Sequence, residues 1–264
     1  MKKASNAKLL LATPVFIWLS HYIAVFPHEY AHSFMAWVLG EMKNPLAIDY
    51  GGKSWKNILL LWDIDENVEY SRLFAQGHGI HAALIAFAGS GIGSVSLFVL
   101  GYFLLKNNRV KQYPYLYYFI FWFQLMNLGN FYDYVPIRTF SSHGDMGNMM
   151  HGLHISAWWV FVIFGYIVAF LIWQFFTRTM ITMYLVLGIE EVWVKAVIMI
   201  ICVFILFGWF GGILGPLTSD NPMSHGEIAY FLEIASFVAI PGIIFILWPT
   251  RQWLKFQTTL SGGD

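Results

Sequence analysis

His28, Glu29 and His32 stand as H-E-x-x-H inside a long apolar run from about Leu9 to Leu39. On a helix, imidazoles four residues apart share one face, where both can reach a single Zn²⁺. Glu29 falls beside them, placed to take a proton from a metal-bound water. Two His and a Glu in a membrane-length apolar segment are costly unless they are coordinated, paired or facing a wet cavity. The spacing and the setting together favour a metal site over polar residues satisfied within a bundle.

A catalytic zinc site takes three protein ligands and keeps one position open. The stretch Ile137-Arg138-Thr139-Phe140-Ser141-Ser142-His143-Gly144-Asp145-Met146-Gly147-Asn148 offers Asp145, a carboxylate between glycines at a helix entrance and so free to approach a metal. His143, His151 and His154 are alternative third ligands, whereas Asp133 can equally pair with Arg138. Asn127 and Asn130, at the end of an apolar helix, can bridge to a neighbouring helix. They can also bind the backbone of an extended peptide or an oxyanion.

The elements that must position these groups are membrane helices. The 264 residues are 58% hydrophobic and only 11% charged, about half the charge of a soluble domain. Six apolar segments have the length of a bilayer crossing: Leu9–Leu39, Ile80–Leu105, Tyr115–Val135, His154–Phe176, Val194–Leu214 and Ile228–Trp248. The expected fold is an all-α, polytopic membrane helix bundle of about six transmembrane helices. Residues 1–155 form a core that carries the motifs, and residues 156–264 complete the same bundle. Pro27 is expected to kink or unwind the first helix just before the ligands.

Zero net charge argues against nucleic-acid partners. The single Cys202 forbids a disulfide within the chain. Lys2, Lys3, Lys8, Lys106, Arg109, Lys111, Arg178, Lys195, Arg251 and Lys255 lie on one side of the expected membrane. Lys43, Lys53, Lys56, Arg72 and Arg138 lie on the other, so both termini are expected in the cytoplasm. Between the first two helices, Gly40 to Gly79 is the longest polar segment. Its stretch from Trp55 to Trp62 is expected to pack over the mouth of the site or to lie on the membrane surface. Gly89 and Gly93, in Ala88-Gly89-Ser90-Gly91-Ile92-Gly93-Ser94, suit close packing of two helix backbones. His78 and His81 fall near the membrane boundary, where a histidine is unremarkable. Glu233, flanked by apolar helix, needs a partner.

Taken in order, these landmarks resemble the site-2 protease family of intramembrane zinc metalloproteases. That family has H-E-x-x-H in a first core helix, an A-G-P-x-x-N-like motif in a second and N-x-x-P…L-D-G entering a later one. The corresponding stretches here are His28-Glu29-Tyr30-Ala31-His32, Ala88-Gly89-Ser90-Gly91-Ile92-Gly93, and Asn130 through Pro136 to Gly144-Asp145. Ser90 stands where the family has Pro, and Met146 follows Asp145 where the family has Gly. The charge pattern also sets the His28 end of the first helix toward the non-cytoplasmic face, opposite to the family's usual placement.

The resemblance implies that His28, His32 and Asp145 ligate Zn²⁺ and that Glu29 is the general base. It makes Asn127 or Asn130 a polar contact to substrate. The implied reaction is hydrolysis of a peptide bond by a zinc-activated water inside the membrane. The expected partners are a transmembrane protein or peptide substrate, the lipid bilayer, and a second copy or an accessory membrane subunit. The expected location is a prokaryotic cell membrane. A catalytically inactive relative with an assembly role in a membrane complex is the competing reading, and the intact Glu29 argues against it. A transporter is a third, weakened by the lack of internal repeats.

Overall fold

A computed structural model describes residues 5–61, 63–212, 223 and 225–249. Leu214, the expected end of the fifth span, and the terminal cations Lys2, Lys3, Arg251 and Lys255 lie outside the described residues. The chain is a helical membrane bundle. Among the described residues the only strand-like pairing is an isolated bridge between Asp49 and Asp65.

Among the described residues, five helical stretches are long and apolar enough to cross a bilayer: Asn6–Val38, Gly79–Lys106, Ala157–Leu187, Val192–Trp209 and Glu227–Leu247. The first is α1, whose 33 residues make a rod about 50 Å long. It runs unbroken through Pro14 and Pro27, so the expected unwinding before the ligands does not occur. A helix at membrane depth tolerates proline when its neighbours re-satisfy the freed backbone groups.

The second crossing combines α4 (Gly79–Phe87), a wider π-helical turn over Ala88–Ser94, and α5 (Val95–Lys106). Ahead of it, α2 (Trp55–Leu60) and α3 (Tyr70–Ala75) are short helices within the 40–79 segment. A brief α6 (Asn108–Lys111) then leads into α7 (Pro114–Tyr132). The remaining α-helices among the described residues are α8 (Gly144–Leu153), α9 (Ala157–Gln174), α10 (Met180–Leu187), α11 (Val192–Val203) and α12 (Glu227–Leu247). A π-helical turn at Phe175–Thr179 fuses α9 and α10 into one stretch, longer than the expected His154–Phe176.

The third expected crossing, Tyr115–Val135, forms as α7 but is the helix around which the others pack. Tyr117, Tyr118, Phe121, Trp122, Leu125, Met126 and Leu128 are all buried. Every residue from Ile120 to Gly129 is buried, and the Tyr, Gln and Asn content of α7 sets it apart from the five more apolar stretches. The Tyr118 hydroxyl meets Thr13 of α1 at 2.8 Å. Phe121 stacks on Phe175 with ring centroids 5.2 Å apart, so the core joins both halves of the chain.

Two close approaches set the helices that matter for chemistry. Gly93 lies so near α1 that an added Cβ would sit 3.0 Å from His28 Cα and 3.1 Å from the Pro27 carbonyl. On the far side of α4, Gly79 packs against Gly152 of α8, where its Cβ would come within 3.5 Å of the Gly152 carbonyl. Lipid supplies no hydrophobic drive between helices, so small residues that permit backbone contact do that work.

The 40–79 segment folds back along α1. The His21 ring donates from Nε2 to the Leu60 carbonyl at 2.7 Å, and the Tyr22 hydroxyl donates to the Ile58 carbonyl. His21 is near the middle of α1, so α2 reaches the depth of the bundle's interior. Asn57 holds the turn together: its amide nitrogen reaches the carbonyls of Tyr50 and Gly52, and its oxygen accepts from the Asp63 N–H. Trp55, Ile58 and Leu59 are exposed and present an apolar outer face.

Candidate metal centre

Helical periodicity places His28 and His32 one turn apart, and α8 delivers Asp145 from the other side. The two Nε2 atoms are 3.1 Å apart. Asp145 Oδ2 lies 3.1 Å from His28 Nε2 and 3.2 Å from His32 Nε2. A tetrahedral zinc with bonds of about 2.0–2.1 Å separates its ligand atoms by about 3.3 Å. The three atoms therefore already stand close to the spacing that an ion between them needs.

Their outer partners fix which nitrogen faces inward. His32 Nδ1 is 2.7 Å from the Ile85 carbonyl. A carbonyl only accepts, so Nδ1 carries a proton and donates to it, which leaves Nε2 facing the centre. His28 Nδ1 faces the Ser94 hydroxyl at 3.2 Å. Burial alone would raise the Asp145 carboxyl, but the imidazoles of His32 and His28 hold it well below the ordinary carboxylate range. A carboxylate oxygen and two buried imidazole nitrogens converging on one point make a group that could hold a metal ion.

The π-helical turn explains how α4 reaches this point. Wide turns of this kind recur at functional sites, and this one sets Gly89 and Gly93 directly against the turn of α1 that carries His28 and His32. A Cβ on Gly89 would collide with the His32 and His28 rings. The small-residue run thus packs two helices and makes room for the His28 and His32 rings at once.

A cavity of about 610 Å³ opens on the centre. Glu29 lines it beside His28 and Asp145, as do Asn130, Tyr134, Glu66 and Tyr70. No protein-family model, curated protein or solved structure matches this chain. The functional reading therefore rests on the motifs and on this geometry.

Of the residues singled out in the sequence, His28, His32 and Asp145 come together, and Glu29 and Asn130 face their cavity. Asn127 does not. It is fully buried in α7, with its amide donating to the Phe123 carbonyl at 2.8 Å, and it does not line the cavity. The alternative ligands are also elsewhere. His143 pairs with the His225 ring, His151 packs on Phe74, and His154 ends α8 in a left-handed conformation. Asp133 bonds Arg138 at 3.3 Å. Glu233 finds its partner in His225, also at 3.3 Å, on the far wall of the same cavity.

Three site residues escaped sequence reasoning. Tyr134 stacks on His28, centroids 5.3 Å apart and planes 13° from parallel, with its hydroxyl 2.8 Å from His28 Nε2. Nothing distinguished it from its aromatic neighbours. Glu66 is buried against α1, where Ser33 donates to its backbone carbonyl at 3.2 Å. Burial raises its carboxyl above the ordinary range. Tyr70 is pushed up in the same way and stays a neutral phenol. Both belong to the folded-back segment, so that segment does cover the site.

Proposed function

We propose that this chain is an intramembrane zinc metalloprotease that hydrolyses peptide bonds of membrane-embedded substrates. The observation that carries the reading is the buried His28–His32–Asp145 triangle at tetrahedral spacing, with Glu29 on the wall of the adjoining cavity. Zinc held there supplies Lewis acidity, which polarises a carbonyl and makes water a competent nucleophile near neutral pH.

The protein's own groups do the rest. Glu29 takes the proton from the attacking water and returns it to the leaving amine. Asn130 offers amide donors and an acceptor to an extended backbone in the cavity. The segment that carries α2, Glu66 and Tyr70 limits entry from bulk water. A helical substrate has to unwind locally before its carbonyl is accessible, because its backbone groups are otherwise paired.

Tyr134 has a part in this chemistry. Its hydroxyl stands 2.8 Å from His28 Nε2 on the cavity wall, where, with a metal held by that nitrogen, the O–H would donate to the developing oxyanion. Removing one such donor typically costs about 10²–10³ in kcat. Tyr134→Phe is therefore expected to lower turnover of fluorescein-labelled casein by about that factor while binding zinc as wild type does. Turnover within about threefold of wild type would deny Tyr134 the role. Absence of any casein cleavage by zinc-loaded wild type, in detergent and in vesicles, would count against the protease reading itself.

A further inference from the structure

A second set of metal-ligating side chains stands at one end of α1. Gly40, at φ +78°, turns the chain off the helix, and Glu41 follows with its N–H bonded back to the Ala36 carbonyl at 2.9 Å. Across from it, His78 caps α4 and His81 lies in its first turn. Three residues apart at a helix start, the two imidazoles share one face. Both aim Nδ1 at the same oxygen: Glu41 Oε1 is 2.8 Å from His78 and 2.6 Å from His81.

The setting differs from that of the central site. The Glu41 side chain is only 9% exposed, while His78 and His81 are 46% and 39% exposed. Arg72 binds the Glu41 backbone carbonyl at 3.2 Å and so leaves the carboxylate to the imidazoles. Two imidazoles and one carboxylate with room for water suit a borderline divalent ion such as zinc. Insertion requires the nitrogens to draw back by about half an ångström, toward ligand spacings of about 3.3 Å. Exposed side chains on a helix start can make that shift.

We propose that Glu41, His78 and His81 form a second, solvent-exchangeable site for a divalent transition metal ion, zinc in the first instance. Such an ion ties the end of α1 to the start of α4. The same α4 presents the Ile85 carbonyl that orients His32, and it packs on α8, which carries Asp145. Occupancy at the outer site therefore stiffens the frame that holds the inner ligands. The simpler account is two imidazoles that each donate a hydrogen bond to Glu41, with no ion involved.

The two accounts separate in His78→Asn/His81→Asn, because asparagine can still donate to Glu41 but is a poor zinc ligand. Full-length protein in detergent is dialysed against micromolar zinc, and bound metal is counted for wild type, His28→Ala, the double Asn variant and the combination. The expected result is about two zinc per chain in wild type, about one in each of the two variants and none in the combination. Added zinc should also raise the melting temperature of His28→Ala but not that of the combination. The double Asn variant binding as much zinc as wild type, or His28→Ala binding none, overturns the outer site. Zinc kept in full by His28→Ala and lost only with His78 and His81 would instead sink the central site and leave the outer one standing.

Discussion

Glu29→Gln should remove proteolysis and leave zinc in place. Glutamine keeps the shape and hydrogen-bonding reach of glutamate but cannot accept a proton at neutral pH. Loss of a positioned general base costs about 10²–10⁴ in rate. Glu29 lies on the cavity wall and is not one of the three atoms that enclose the metal position, so the ligand set survives the change. Cleavage of labelled casein and metal content, measured on the same preparation, separate the two effects. Casein turnover that falls by less than about tenfold would contradict the assignment of Glu29 as the base. A joint loss of zinc and turnover would show that Glu29 acts on the metal and not on the water.

The second large effect is expected at a residue with no functional group. Gly89→Ala places a methyl against His32 Cε1 at 2.6 Å and His28 Cε1 at 2.7 Å. Neither ring is free to yield, because Ile85 holds His32 Nδ1 and Ser94 faces His28 Nδ1. The backbone on the other side is fixed by the approach of Gly93 to α1. Alanine favours an ordinary helix over glycine by about 1 kcal/mol, so propensity does not oppose the change. The expected variant is helical and purifies normally, yet binds zinc at least about a hundredfold more weakly. Circular dichroism with metal titration checks both halves. Wild-type zinc affinity in Gly89→Ala would mean that the α1–α4 contact is looser than the geometry requires.

Much of this was legible in the sequence because two simple regularities carry it. The 3.6-residue period puts His28 and His32 on one face of any helix, and runs of about 20 apolar residues announce crossings without tertiary knowledge. Asp145 was reachable because its glycine-flanked position left it free to approach. The hidden parts depend on which face of a helix meets which neighbour. Asn127 and Asn130 are a helical turn apart, yet one is sealed in the core and the other lines the cavity. The burial of α7 follows from its being surrounded, which no local pattern records. Tyr134, Glu66 and the Glu41–His78–His81 cluster are brought to their places by folding of segments distant in the chain. Pro27 shows the reverse case, a local helix-breaking signal that lies inside one continuous helix.

Metal content of carefully prepared, detergent-purified protein tests the central claim most directly, with wild type beside His28→Ala and Asp145→Ala. The account predicts tightly held zinc in wild type, about one per chain at the central site, and its loss in both variants. A wild type that holds no transition metal after zinc loading would contradict the metal centre and with it the protease. Zinc retained in full by Asp145→Ala would contradict the assignment of the third ligand, since no other carboxylate or imidazole among the described residues joins His28 and His32 in the cluster.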